Sequence, residues 1–207
     1  MNTRKRAALL TAMLLVLLAA DQILKVWVKT HMTLDQAIIV FHDWFQLRFV
    51  ENAGAAFGVR IVSSGAFDWG KLALGLFRVV AICLLVWYIR VLLRQRAPTG
   101  VLIGLTAILA GAIGNVIDSA FYGLVFSEST FHTVARLGDG YAGFMMGKVV
   151  DMFYFPLFRW ESVPSWLSFL VDSNNYFFGA IFNLADAYIS VALVYLLIFH
   201  CRFFARQ

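Results

Sequence analysis

Charge is scarce in this chain. Only 14% of its 207 residues are Asp, Glu, Lys or Arg, while 61% are hydrophobic, a balance that excludes an ordinary soluble globular domain. Cysteine is scarce too. Cys83 lies in an apolar run and Cys201 near the C-terminus, with no C-x-x-C spacing, so neither a disulfide framework nor a thiolate zinc site is indicated. His31, His42, His132 and His200 are scattered and no H-E-x-x-H helix is present, so a metalloprotease has no ligand set here and no metal is expected. No internal repeat or composition break marks a second domain, and 1–207 reads as a single membrane domain. What the chain has in quantity is apolar length: a mean hydropathy of +0.79 reads as an integral membrane protein.

Four segments approach the roughly 20 apolar residues needed to cross a hydrocarbon core of about 30 Å. They lie at about 7–28, 72–93, 101–121 and 178–200, leaving two long loops at 29–71 and 122–177. Arg4, Lys5 and Arg6, then Arg90, Arg94 and Arg96, then Arg202 and Arg206 flank the spans on one side, with no Asp or Glu among them. This Lys/Arg bias predicts cytoplasmic termini and extracytoplasmic long loops. The same asymmetry explains the pI of 9.4 by membrane anchoring, with no need for a nucleic-acid partner. The N-terminus has a rival reading as a cleavable signal peptide ending at Ala19-Ala20. Asp21 and Lys25, spaced i,i+4 just beyond, favour retention of the span, because they can pair on one helix face.

In the first outer loop Phe45, Leu47 and Phe49 alternate with Gln46 and Arg48, the period of a half-buried strand. Ala37 to Val40, before His42-Asp43, is its candidate hairpin partner. The small residues of Glu51-Asn52-Ala53-Gly54-Ala55-Ala56-Phe57-Gly58 permit tight turning and close backbone approach. In the second loop Val149 to Phe155 is an apolar strand-like run carrying one acid, Asp151, and the stretch from Ser165 to Val171 around Trp166 looks interfacial. The expected fold is therefore an all-α integral membrane protein, four transmembrane helices with a small extracytoplasmic β-sheet and an interfacial loop segment.

Three aspartates stand out against so little charge. Asp118 and Asp186 fall inside spans, where an ionisable group is costly and marks a functional site by default. At Asp186, Asn183 can act as an N-cap and the acid can favour the positive helix end. Asp118 sits late in its span, where the helix dipole has the wrong sign for a carboxylate, so capping cannot account for both. Gly111 and Gly114 leave room for a neighbouring helix to meet Asn115 and Asp118. Asp151 is a loop acid with apolar neighbours, which favours burial against the membrane face. Two carboxylates brought close cannot both ionise easily, so one keeps a proton while the other acts as base.

The order Asp21-Gln22-x-x-Lys25, Asn52-Ala53-Gly54-Ala55-Ala56-Phe57-Gly58, Gly111-x-x-Gly114-Asn115-x-x-Asp118, Val149-Val150-Asp151 and Phe182-Asn183-x-Ala185-Asp186 closely resembles the bacterial lipoprotein signal peptidase family, the signal peptidase II enzymes. The resemblance runs from the first span to the last. It implies an aspartic endopeptidase of the bacterial inner membrane that removes signal peptides from diacylglyceryl-modified prolipoproteins, cutting before the lipidated cysteine. It further implies a catalytic pair at Asp151 and Asp186, supported by Asp21, Lys25, Asn52, Gly54, Gly111, Asn115, Asp118, Asn183 and Ala185. An outer β-cradle and sensitivity to the cyclic peptide globomycin are implied as well, and no cofactor is expected. One departure is Ser119, where the family usually has Arg; the polar bonding of that Arg is then either absent or supplied from elsewhere, with Arg136 and Lys148 as candidates. The stretches on either side of Asp151 are longer than usual, and Arg78 is an intramembrane charge that no motif claims.

Two other readings fit the residues alone. A small proton- or cation-coupled transporter would use Asp118 and Asp186 as an ion site, although broken helices and paired repeats are not apparent. A noncatalytic assembly subunit would use Asp21, Lys25 and Arg78 to pair with partner helices.

Overall fold

The computed structural model describes every residue except 1, 43, 54–62, 65–66, 165–166, 168–170, 172–175, 178 and 206–207. Four helices are long and apolar enough to cross a membrane. They are α1 (Thr3–His31), α2 (Trp69–Arg94), a third span (Thr99–Val125) and α5 (Leu184–Phe204). The third span comprises α3 (Thr99–Ile117), a π-helical turn (Asp118–Tyr122) and a last turn, α4 (Gly123–Val125). Its central place is visible in burial: half of its most apolar window is covered by protein, against 6–17% for the other three. It packs on α1, α2 and α5, whose remaining apolar surface, including Val16, Phe77, Trp87 and Leu197, faces outward, as lipid contact requires.

Glycine sets the closest of these contacts. A Cβ on Gly111 would lie 2.3 Å from the Ala185 carbonyl oxygen, and one on Gly114 would lie 2.6 Å from Asp21 Oδ2. Any larger residue would push α5 or α1 away from α3.

The first-loop strands form as their alternation predicts. β1 (Ala37–Phe41) and β2 (Phe45–Asn52) are an antiparallel hairpin, and His42 at the turn takes φ +45°. The second loop then supplies a third strand, β5 (Val149–Tyr154), which pairs antiparallel with β2 to give the order β1-β2-β5. A separate two-stranded ribbon joins β3 (Ser63–Ser64) to β4 (Phe67–Asp68). The three-stranded sheet is fastened to the bundle by a core of Val28, Met32, Phe49, Tyr122, Phe126, Val150 and Met152, all buried. These come from the end of α1, the end of the third span and two strands, so the sheet sits at the end of the bundle away from both termini.

The last span starts later than hydropathy predicts, at Leu184 and not 178. Phe182 exchanges backbone hydrogen bonds with Phe153 of β5, at 2.8 and 3.1 Å, which holds the chain extended until Asn183 caps the helix by accepting from Asp186 N at 2.9 Å. Most of the interfacial stretch predicted around Trp166 lies outside the described residues.

Candidate active site

Chain connectivity brings three polar elements together where the sheet meets the spans. The first is the α1 face that carries Asp21, Gln22, Lys25 and Lys29. Lys25 is fully buried and pairs with Asp21 at 3.0 Å and with Asp118 at 2.8 Å. Asp118 also accepts from Gln22 Nε2 at 3.1 Å and from Val150 N at 3.3 Å. The π-helical turn that begins at Asp118 is the kind of interruption that often marks functional positions. Here it directs a carboxylate into the α1 interface and onto the strand of Asp151. Asp21 in turn accepts from Ala185 N at 3.0 Å, so one buried ionic cluster joins α1, the third span, β5 and the start of α5.

A pair of asparagines lies directly above it. Asn115 Oδ1 accepts from Lys25 Nζ at 2.9 Å and from Asn183 Nδ2 at 3.0 Å, while Asn115 Nδ2 donates to Asp186 Oδ1 at 2.8 Å. Asn183 Nδ2 also donates to Asp151 Oδ1 at 2.7 Å. The lysine contact fixes which end of the Asn115 amide points where, because an ammonium group can only donate. The cap contact does the same for Asn183. Asp151 and Asp186 are therefore each gripped through one oxygen by a braced pair of amides.

Environment distinguishes the two acids. Asp151 is 5% exposed, whereas Asp186 is half-buried. Burial pushes the Asp151 carboxyl up to about 7, and the charge of Asp186 adds to this; hydrogen bonds from Asn183 and Asn52 and the charge of Lys25 oppose it. The register explains the part played by Asn52. It pairs with Val149, which puts it diagonally across from Asp151 on the same face of the sheet.

Of the residues expected from sequence, Asp21, Lys25, Asn52, Asn115, Asp118, Asp151, Asn183, Ala185 and Asp186 are thus linked by direct bonds, and Gly111 lies beneath Ala185. Gly54 and the rest of that turn lie outside the described residues. Ser119 does not replace an arginine, since its Oγ returns to Asn115 O at 3.0 Å and its carbonyl accepts from Gly147 N at 2.8 Å. Neither candidate, Arg136 or Lys148, does so either, which leaves the alternative that this bonding is absent among the described residues. Arg136 is exposed, and Lys148 pairs with Glu51 at 3.4 Å and Glu128 at 3.3 Å. Among the described residues the side chains bonded to Asp118 are Lys25 and Gln22.

Sequence reasoning passes over a second buried cluster. Lys29 pairs with Glu51, and Ser129 Oγ donates to Glu51 Oε1 at 3.0 Å. It ties the end of α1 to the residue before Asn52. The signal is present, since Lys29 follows Lys25 by four and so continues the face of Asp21 and Lys25.

Comparison with known proteins gives this arrangement a lineage. Residues 13–202 match the family model described as signal peptidase (SPase) II. A lipoprotein signal peptidase of Porphyromonas gingivalis is 45% identical over 196 residues, spanning 92% of this chain and 82% of that protein. One from Amoebophilus asiaticus is 33% identical over 184 residues, 85% of this chain and 71% of that protein. A solved bacterial membrane enzyme shares the fold at a TM-score of 0.60 and 18% identity, covering 92% of this chain and 91% of its own. Multi-pass in the bacterial inner membrane and built on that fold, this chain belongs to the signal peptidase II family of proteases.

Proposed function

We propose that the protein is an aspartic endopeptidase that removes signal peptides from diacylglyceryl-modified prolipoproteins, cutting just before the lipidated cysteine. The observation that carries this reading is the Asn115–Asn183 brace, which bonds one oxygen of the buried Asp151 carboxyl and one of the half-exposed Asp186 carboxyl. Asp151, with its raised pKa, keeps a proton; Asp186, the more open of the two, is the base. Asp186 takes a proton from a water as its oxygen attacks the peptide carbonyl, and Asp151 gives its proton to the carbonyl oxygen. Collapse of the tetrahedral intermediate breaks the C–N bond, with a proton delivered to the leaving amine. No step needs a metal or cofactor.

Asp21, Lys25, Gly111, Asp118 and Ala185 set the position of this pair, while Asn52 reaches Asp151 from the first loop. An apolar groove of about 480 Å³ runs between α1, α3 and α5, lined by Met13, Leu17, Ile103, Leu184, Ala187 and Tyr188. Its upper end adjoins the turn of Asp186, which suits the acyl chains of a lipid-modified substrate. The Lys/Arg bias supports cytoplasmic termini and a site at the extracytoplasmic boundary, where a lipidated precursor would arrive laterally through the membrane. Inhibition by globomycin belongs to the same reading.

The test is cleavage by the purified protein of a diacylglyceryl-modified precursor and of its unmodified form, followed by mass spectrometry. Only the modified precursor is cut, and the new N-terminus is the lipidated cysteine; cleavage elsewhere, or equal cleavage of both, overturns the substrate assignment. In the same assay kcat/KM, which reports the free enzyme, falls as pH rises through about 7. The sign follows from the role: the donor carboxyl is protonated below its raised pKa and loses its proton above it. A profile still flat at pH 9 removes Asp151 as the proton donor.

A further inference from the structure

Arg78 is the cation that the catalytic scheme leaves unused. It lies nine residues into α2, roughly 13 Å along the axis from Trp69 at 1.5 Å per residue, on a helix that carries no Asp or Glu. Lys71, Gly75 and Arg78 share one face, being spaced i, i+4 and i+7. That face meets the segment leading into β5. Lys71 Nζ donates to Met146 O at 2.8 Å, and a Cβ on Gly75 would lie 2.3 Å from Met145 Cε. The next residue, Gly147, is bonded to Ser119 of the third span.

Arg78 is half-buried on this inward face, whereas Leu76, Phe77, Val79 and Val80 are exposed. Its guanidinium makes no hydrogen bond or ion pair among the described residues, and the charge whose field reaches it is that of Asp186. Five N–H donors thus stand within reach of the charge of Asp186 and inside the span, where unmet donors are costly. Among the described residues none supplies an acceptor to it, so a ligand that reaches that depth can bring the acceptors. The peptide carbonyls of a helical signal segment are bonded within the helix except in its last turn; the ester carbonyls of a diacylglyceryl group are all free to accept.

We propose that Arg78 binds the glyceryl ester carbonyl oxygens of the substrate and so determines specificity for the acylated precursor. The assignment rests on the substrate class proposed above. Lipid phosphate offers the same acceptor chemistry from a different source, and the test separates the two. Wild type and Arg78→Gln are each assayed on a diester precursor and on a diether precursor that keeps the chains but lacks the carbonyls. Replacing ester by ether costs the wild type about tenfold in kcat/KM, chiefly through KM, as loss of a charge-assisted hydrogen bond implies. Arg78→Gln costs as much on the diester and adds nothing on the diether, and Arg78→Lys restores part of the ester preference.

Equal penalties for Arg78→Gln on both precursors overturn the proposal, as does a penalty that follows the phospholipid content when the assays are repeated in nanodiscs of differing phosphate-lipid composition. If Arg78→Gln does not fold, a wild type indifferent to ester or ether overturns it alone. Wild type that cuts neither precursor sinks the substrate reading and this assignment together. Asp151→Asn with full activity would instead sink only the dyad.

Discussion

Asp151→Asn and Asp186→Asn are each expected to lose about 10³-fold or more in kcat on a lipid-modified precursor, within the range that general acid–base groups supply, while remaining folded. The substitution is chosen because the amide keeps the shape and the accepting oxygen. Asn at 151 still accepts from Asn183 Nδ2, and Asn at 186 still accepts from Asn115 Nδ2, the contacts now made at 2.7 and 2.8 Å. What disappears is the exchangeable proton of one and the base of the other. Asp118→Asn is the informative contrast. It sits one layer below, bonded to Lys25, Gln22 and Val150 N, so its loss should lower the melting temperature more than kcat. Single-turnover rates on matched, folded samples decide the matter. Full activity in either dyad variant refutes the assignment, and a loss at Asp118 equal to that at Asp151 would show that the chemistry is not confined to the pair.

The second large effect is on stability. Lys25→Met should cost about 3–5 kcal/mol, the usual result of removing one partner from a buried ionic group. Asp21 and Asp118 are 1% and 0% exposed, and Lys25 is the one cation bonded to both among the described residues. Without it two carboxylates face each other across a space that water does not reach. For a chain of this length a melting temperature falls by roughly 2–4 °C per kcal/mol, so a drop on the order of 10 °C is expected in detergent. Adding Asp21→Asn and Asp118→Asn to the Lys25 variant removes the uncompensated charge and should recover part of that loss. Activity should not return with it, because Asn115 has lost the donor that orients its amide toward Asp186. A Lys25→Met protein that melts like the wild type would show that this cluster does not hold the bundle together.

The residues themselves explain why some of this is legible in sequence. Asp21 and Lys25 are four apart on one helix, and Asn183 caps the turn that carries Asp186; both interactions are local, so spacing exposes them. The period of two at Phe45, Leu47 and Phe49 marks the strand, but what it cannot show is the register shift between Leu47 and Val50, after which Phe49 packs with Val150 and Met152 while Leu47 stays opposite Phe153. The start of the last span is misread because Gly179 to Phe182 is apolar enough to pass for helix; its extended form comes from pairing with Phe153, which hydropathy does not register. Nearby cations are the natural candidates to replace an arginine at Ser119, yet Lys148 is taken by Glu51 and Glu128.

Sequence by itself determined which polar groups enter the apolar spans, how many spans there are, and which motif order the chain carries, since membrane burial penalises each charge wherever it falls. Tertiary structure alone decided that β5 pairs with β2 and then with Phe182, which sets Asp151 against Asn183 and, through Asn115, beside Asp186. The amide contacts to the two acids join residues 32 and 71 positions apart. Contacts at such separations are fixed by how helices and strands pack, and packing leaves no period in the chain for spacing arguments to find.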